Sequence, residues 1–410
     1  MTTKMRPIRE TITLDAARAL IGKNTPLIMR VELVTLQEAN GRVIARDVVS
    51  DVDVPPFSRA AMDGYAVRTE DTAGASRQNP KTLKVVDRVF TGQMPGRAIA
   101  PGECAEIATG APMPEGANAV VMVEETDGVS PGRAEGQVQI FAAVRPGQNV
   151  GRKGADIQSG QTVVRNGDVL NPSRIGALAA IGTEEVNVYG RPRVAILSTG
   201  DEIVEPGQPL EPGQLYDINR FTLTAIVENH GGVPEPHRTA ADTLDDLSDA
   251  IEDCLDADVL VFSGGSSVGA RDLVLDILAQ KGEILFHGIS VKPGKPTAFG
   301  LVKGKPFFGM PGYPTSCLSN GYMLLVPALR QMARLPPHRT RSILAPLGQR
   351  IVSTTDRHQF YTVRLIDGVV LPAFKASGDI TSMSQADGYI EIPAGTDVVE
   401  KDEVVEVKLF

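Results

Sequence analysis

The spacing of apolar and polar positions changes several times along the chain, and each change marks a different kind of element. Thr13 followed by LDAARALI predicts a capped helix over Leu14 to Ile21, and a short amphipathic stretch follows it. From about residue 51 the pattern shortens to strand-like runs: GYAVR at 64, LKVVDRV at 83, AVVMVEE at 119 and QVQIFAA near 138. Gly and Pro punctuate these runs, as they do in a small β-rich domain. Helical character returns around SRIGALAAIG, so the β-rich stretch reads as an insertion into a helical region.

Arg191-Pro192 opens a third pattern. RVAILS at 193 and DVLVF at 258 are continuous apolar runs, the mark of strands buried on both faces. Helices are predicted after Asp217, after Asp242, from Ala270 to Gln280 and, as one long element, from Pro314 to Ala333. Such alternation predicts an open α/β sheet with right-handed crossovers. Leu335-Pro336-Pro337 ends that domain, and FYTVRL and EVVEVKLF predict a last small β barrel or sandwich. The expected organisation is a helical linker domain (1–50 and 151–190), a β-rich insertion (51–150), a central three-layer α/β domain (191–335) and a β domain (336–410).

Composition narrows the function classes. A length of 410 residues favours several domains over one core. Acidic residues outnumber basic ones, 50 to 41, which argues against a general nucleic-acid binder. No window approaches a membrane span, and the N-terminus lacks an apolar signal core, so no membrane association and a cytoplasmic location are expected. Cys104, Cys254 and Cys317 are far apart and include no CxxC, which favours reduced thiols packed in cores. The five histidines show no metal-ligand spacing and are expected at the surface or behind other ligands, so a metal here would take oxygen donors.

Ligands of open α/β sheets bind beyond the carboxyl ends of the strands. Those ends carry Ser198-Thr199-Gly200-Asp201-Glu202, then Ser263-Gly264-Gly265 with Asp272 beyond, then Lys292 to Pro296, then Pro311 to Ser316. Glycines let backbone N–H groups approach an anion, lysines neutralise it, and carboxylates can hold Mg²⁺ against a substrate phosphate. Taken singly, each of these is also what an ordinary turn or helix start carries. One competing pattern is Gly265-Ser266-Ser267-Val268-Gly269, which fits the nucleophile elbow of a serine hydrolase, with Ser267 as nucleophile.

PPFSRAAMDGYAVR at 55, TGAPMPEGANAVVMVEE at 109 and GRKGADI at 151 resemble the signatures of the MoeA family of molybdopterin molybdenumtransferases, which includes the gephyrin E-domain. RPRVAILSTGDEIVEPG at 191, YDINR at 216, SGGSSVGARD at 263, VKPGKPTAFG at 291 and MPGYPTS at 310 extend the likeness in order along the whole chain. The resemblance implies a homodimer that takes adenylylated molybdopterin and molybdate, or tungstate, and releases AMP with Mg²⁺ as cofactor. It implies Asp272, Asp242 and Glu202 as metal-handling acids and Lys292 as a further catalytic residue. Lys295, Pro296 and Ser316 fall where the family places molybdate, with Ser263, Gly264, Gly265, Pro311, Pro314 and Ser377 around the substrate. Asp63, Thr109 and Asp156 match residues that face the cleft from the partner subunit, and Arg152 is the nearby guanidinium where many relatives carry an Arg in place of Gly151. Molybdopterin adenylyltransferase and acceptor molybdoenzymes are implied as further partners, and a gephyrin-like scaffold is the non-catalytic alternative. The chain departs from the family pattern at Gly151, Gly288, Tyr313 and Thr362.

Overall fold

The computed structural model describes residues 8, 10–128, 136–237, 243–264, 273–354 and 356–410. It divides into two compact units, residues 33–188 and the remainder.

Helix α1 (Leu14–Lys23) starts where expected, with the Thr13 hydroxyl accepting from the Ala16 N–H. Its apolar residues Leu14, Ala17 and Ile21 join the core beneath the α/β sheet. The N-terminal segment therefore does not group as a whole with residues 151–190. A helix of 10 residues with one apolar stripe is held by whatever covers that stripe, and here the α/β core does so.

In residues 33–188, β1 (Gly64–Val67), β2 (Lys81–Val89), β3 (Glu103–Ile107), β4 (Ala119–Met122) and β5 (Gln137–Ile140) form one sheet in the order β4-β1-β3-β2-β5. β1 and β4 show no polar alternation because both of their faces are covered, whereas β2 and β5 keep exposed polar positions. Tyr65, Val67, Cys104 and Val121 enter one cluster, while Ala66, Ala105 and Val120 enter another. The expected helical linker contains a single helix in residues 151–190, α2 (Pro172–Ala180), packed with short strands around Leu170, Leu178 and Val188. Asn171 caps α2 by accepting from the Arg174 N–H.

The second unit is built on β6 (Arg193–Ser198), α3 (Asn219–Asn229), β7 (Val233–Pro236), α4 (Leu244–Asp253), β8 (Val259–Ser263), α5 (Leu273–Lys281), β9 (Gly282–His287), β10 (Ala298–Val302) and β11 (Lys305–Met310). Sheet order is β7-β6-β8-β11-β10-β9, parallel from β7 to β11, with β10 antiparallel to both its neighbours. The sequence reading did not separate TAFGLV as a strand, and it is the one that makes this sheet mixed. Since β10 reverses direction between β11 and β9, the ends of β6, β8, β9 and β11 still share one edge. Alternate residues feed two cores: Val194, Ile196 and Val261 on the face of α1 and α3, Ala195, Leu197 and Phe262 on that of α4.

The long helix predicted over 314–333 is α6 (Pro314–Asn320), a π turn (Gly321–Leu325) and α7 (Val326–Met332). Pro327 has no N–H and crowds the carbonyl four residues before it, which opens the turn. The freed Met323 carbonyl accepts instead from Arg18 Nε at 3.0 Å. Strands β12 (Ser342–Pro346), β13 (His358–Ile366), β14 (Val369–Pro372), β15 (Gly388–Ile392) and β16 (Val404–Leu409) form the C-terminal sheet around Val363, Ile390 and Val407.

All three cysteines are free and buried, and desolvation pushes the Cys104 and Cys254 thiols up to about 12. His230 departs from the expected surface position. It is 7% exposed, its ring edge-on to His338 with centroids 4.7 Å apart. The carboxyl end of α3 tucks it there, against Tyr322.

Candidate active site

Between β9 and β10 the chain crosses the carboxyl edge as the lysine-bearing loop. Val291–Lys292 pairs in parallel with His358 and Gln359, so this loop also adds a short strand to the C-terminal sheet. The Lys292–Pro293 bond is cis. Gly294 has φ +100°, and a Cβ there would lie 2.3 Å from Asn320 Nδ2. That amide is buried and donates to the Gly294 carbonyl (2.9 Å) and to Thr297 Oγ1 (2.5 Å), while Thr297 Oγ1 donates to the same carbonyl (2.9 Å). Ile289 and Thr297 N–H groups both donate to the Lys295 carbonyl. Lys292, Lys295 and Pro296 are half-buried on this clamped loop, with Lys295 Nζ 3.5 Å from the Ile8 carbonyl.

At the ends of β6 and β8 the packing is equally close. Ser198 donates to Asp217 at 3.0 Å and shares a hydrogen bond with Ser263 at 3.2 Å, so the Ser263 hydroxyl is spent inside the scaffold. Asp217, 4% exposed, also accepts from the Arg220 N–H and lies 3.5 Å from Arg220 Nε. Gly264 has φ +105°, and a Cβ would meet the Thr199 carbonyl at 2.4 Å. Glu202 is exposed, its carboxylate folded over Gly200. Gly312 lies against Gly264, and its carbonyl accepts from Asn219 Nδ2 at 2.8 Å.

The sequence places Thr199 at this edge but gives no role to Thr199, Asn219 or Asn320. Each is buried and leaves one side-chain oxygen without a hydrogen bond among the described residues. Such orphans at a ligand edge are unusual enough to count as binding capacity. YDINR contains Asn219, but nothing in the spacing singles out Asn320, 26 residues from the glycine it clamps.

From β11 the chain enters α6 through Pro311, Gly312, Tyr313 and Pro314, with Pro311 and Ser316 buried and Pro314 half-buried. The loop holding Ser377 closes on this start: the Thr315 N–H donates to the Ser377 carbonyl (3.1 Å) and Thr315 Oγ1 to the Asp379 carbonyl (2.9 Å). Thus Lys292, Lys295, Pro296, Pro311, Pro314, Ser316 and Ser377 belong to loops tied to one another through Asn320, Thr315 and the β-pairing.

In the other unit, Asp63 Oδ1 accepts from the Thr109 N–H (2.7 Å) and hydroxyl (3.0 Å). The backbone bond, with the hydroxyl second, holds the Asp63 carboxyl below its usual range. Arg152 and Asp156 are exposed on the turn after Gly151, and the Arg59 side chain lies against Gly151. Asp242, Asp272, Gly265 and Ser267 lie outside the described residues. No cluster of three potential metal ligands occurs among the described residues. A Mg²⁺ that keeps water and takes substrate phosphate needs only one or two carboxylates, and exposed Glu202 fits that requirement. Asp217 does not fit it, being engaged with Ser198 and Arg220.

A sheet edge with glycine turns and two half-buried lysines suits an anionic ligand, while the orphaned Asn219 and Asn320 oxygens, which only accept, suit donor groups on that ligand. Comparison with known proteins makes the class specific. Residues 12–182 match the MoeA N-terminal region (domains I and II), 195–331 a probable molybdopterin binding domain, and 345–410 the MoeA C-terminal region (domain IV). Molybdopterin molybdenumtransferase 2 of Mycobacterium tuberculosis is 36% identical over 383 residues, covering 90% of this chain and 91% of the relative. The Haemophilus influenzae molybdopterin molybdenumtransferase is 37% identical over 334 residues, 80% of each chain. A crystal structure of the molybdopterin biosynthesis MoeA protein from Pyrococcus horikosii superimposes with a TM-score of 0.84 at 39% identity, covering 98% of this chain and 99% of that one. The chain belongs to the MoeA family, the molybdopterin molybdenumtransferases. No helix among the described residues is long and apolar enough to cross a membrane.

Proposed function

We propose that this enzyme inserts molybdenum from molybdate into adenylylated molybdopterin, releasing AMP. The observation that supports the reading most is the clamped lysine loop. Two half-buried lysines, a positive-φ glycine and a buried amide meet where an open sheet binds ligands. Molybdate is a tetrahedral dianion, and a loop fixed before the ligand arrives loses little freedom on binding it. Lys295 and Lys292 would neutralise oxyanion charge, and Ser316, Pro296 and Ser377 would shape the pocket around it. The backbone at Gly264 and Gly265 would lie against the substrate phosphates, near Pro311 and Pro314. In the proposed homodimer, Arg152, Asp156, Asp63 and Thr109 would reach the pterin substrate from the partner subunit.

Mg²⁺, held by Glu202, Asp242 and Asp272, would offset the negative charge of the phosphoanhydride. The protein's own part is positioning. The lysines and the glycine turn hold two anions side by side that would repel each other in water.

The deciding experiment measures AMP release from adenylylated molybdopterin with molybdate, with tungstate and with neither. Release stimulated by oxyanion and Mg²⁺, and abolished in a folded Asp272→Asn variant, is expected. Absence of release under all three conditions overturns the reading. The proposed assembly is a homodimer, and a monomer by light scattering that retains full activity would contradict it.

A further inference from the structure

Far along the helix that begins at Pro314, a cavity of about 650 Å³ opens between α7, α1 and the C-terminal sheet. Its size lies within the range of small-molecule sites. Four cations line it: Arg18, Arg330, Arg334 and Lys408. One carboxylate, Glu391, faces them, and it is already paired with Lys408 at 3.1 Å. Arg334 is committed to the Tyr189 ring, 4.1 Å from its centroid, and to the Ile28 carbonyl. Arg330 donates from Nε to the Pro336 carbonyl and has no carboxylate partner among the described residues. Burial pushes its pKa down, the sign of a guanidinium partly stripped of water. Among the described residues, Arg18 meets the Met323 carbonyl and, at 4.0 Å, the exposed Asp15.

Aromatic rings also line it. The Phe410 ring stands 5.6 Å from that of Tyr322 and 5.7 Å from that of Tyr389, and Phe360 stacks on Tyr389 at 3.9 Å. None of these residues belongs to the carboxyl edge of the α/β sheet. The 13 residues from Pro314 to Val326, at about 1.5 Å each, put this end of the helix roughly 18 Å from its start.

We propose that this cavity is a second ligand site, for a small molecule carrying a phosphate or carboxylate on an aromatic ring. Arg330 and Arg18 take the anion by charge-assisted hydrogen bonds, and the ring lies against Tyr322, Tyr389 and Phe410. The inference does not depend on the reaction at the sheet edge.

Phenyl phosphate, benzoate, inorganic phosphate and phenol serve as probes, by calorimetry and saturation-transfer NMR on the full chain. Phenyl phosphate or benzoate is expected to bind at least tenfold more tightly than inorganic phosphate or phenol, and comparing the first two identifies the anion. Arg330→Gln should weaken binding by roughly tenfold or more, as loss of one charge-assisted bond does. Arg18→Gln is the second variant should the first not fold, and Lys295→Ala is the control that leaves the cavity intact. Failure of both ring-bearing probes to bind at millimolar concentration overturns the proposal. So does binding that survives Arg330→Gln and Arg18→Gln, or binding that Lys295→Ala abolishes, since either places the probe elsewhere.

Discussion

On one flank of the sheet edge, the loop from Gly288 to Thr297 is held from beneath by a buried amide, a buried hydroxyl and a strand shared with the C-terminal sheet. On the other flank, the chain from Gly200 to Leu215 is largely exposed, and its Glu202 rests on Gly200. The close contacts of that second flank sit below the surface, at Ser198, Asp217 and Gly264. A fixed oxyanion calls for donors positioned in advance, whereas a hydrated cation tolerates carboxylates at a water-filled rim. The contrast is in keeping with the proposed placement of molybdate beside the lysines and of Mg²⁺ beside Glu202.

The largest expected effect breaks the second flank from below. In Gly264→Ala the new methyl meets a backbone oxygen at 2.4 Å in a left-handed conformation. Unfolding free energy should fall by about 2–4 kcal/mol, with loss of AMP release. A denaturation midpoint equal to the parent's would show that this turn is not tight.

Lys295→Ala tests the first flank directly. Removing one charge-assisted bond should raise the KM for molybdate or tungstate by roughly ten- to a hundredfold. Titration with adenylylated molybdopterin should change much less, and equal weakening of both would return Lys295 to general phosphate binding.

Asn320→Ala sharpens the same flank without touching a charge. It leaves the Gly294 carbonyl and Thr297 hydroxyl short of a donor, at a cost of about 1–2 kcal/mol in stability. The oxyanion KM should rise while the pterin KM stays near the parent value. A stability loss with both constants unchanged would make Asn320 purely structural.

A last effect, absent at neutral pH, lies away from both flanks. Burial, with His338 and Arg330 nearby, pushes the pKa of His230 down from 6.5 to about 4. Above pH 6.5 the imidazole is neutral in both folded and unfolded chains. Between 6.5 and about 4 only the unfolded chain takes up the proton, so stability should decline as pH falls through that window. Thermal melts of His230→Phe should show a shallower decline over the same range, and an identical slope would remove His230 as its source.

Periodicity announced the buried strands well. RVAILS and DVLVF each supply two cores at once, and a strand covered on both faces has no polar side to interrupt its run. β10 has the same length as β8 but was hidden, because TAFGLV follows a proline-rich loop and Gly300 interrupts its apolar run. The lysine loop and the glycine turns were legible because glycine, proline and lysine carry their constraints in their own covalent structure.

By itself, the sequence determined the local chemistry available at the strand ends, the capping of α1 by Thr13 and the family to which the chain belongs. Only the tertiary structure decided that α1 completes the α/β core, that Pro327 frees the Met323 carbonyl for Arg18, and that Asn320 reaches back to clamp Gly294. Those outcomes rest on contacts between residues far apart in the chain. A local pattern can show that a helix has an apolar stripe or that a carbonyl lacks its partner. Which distant group answers that need is settled by packing.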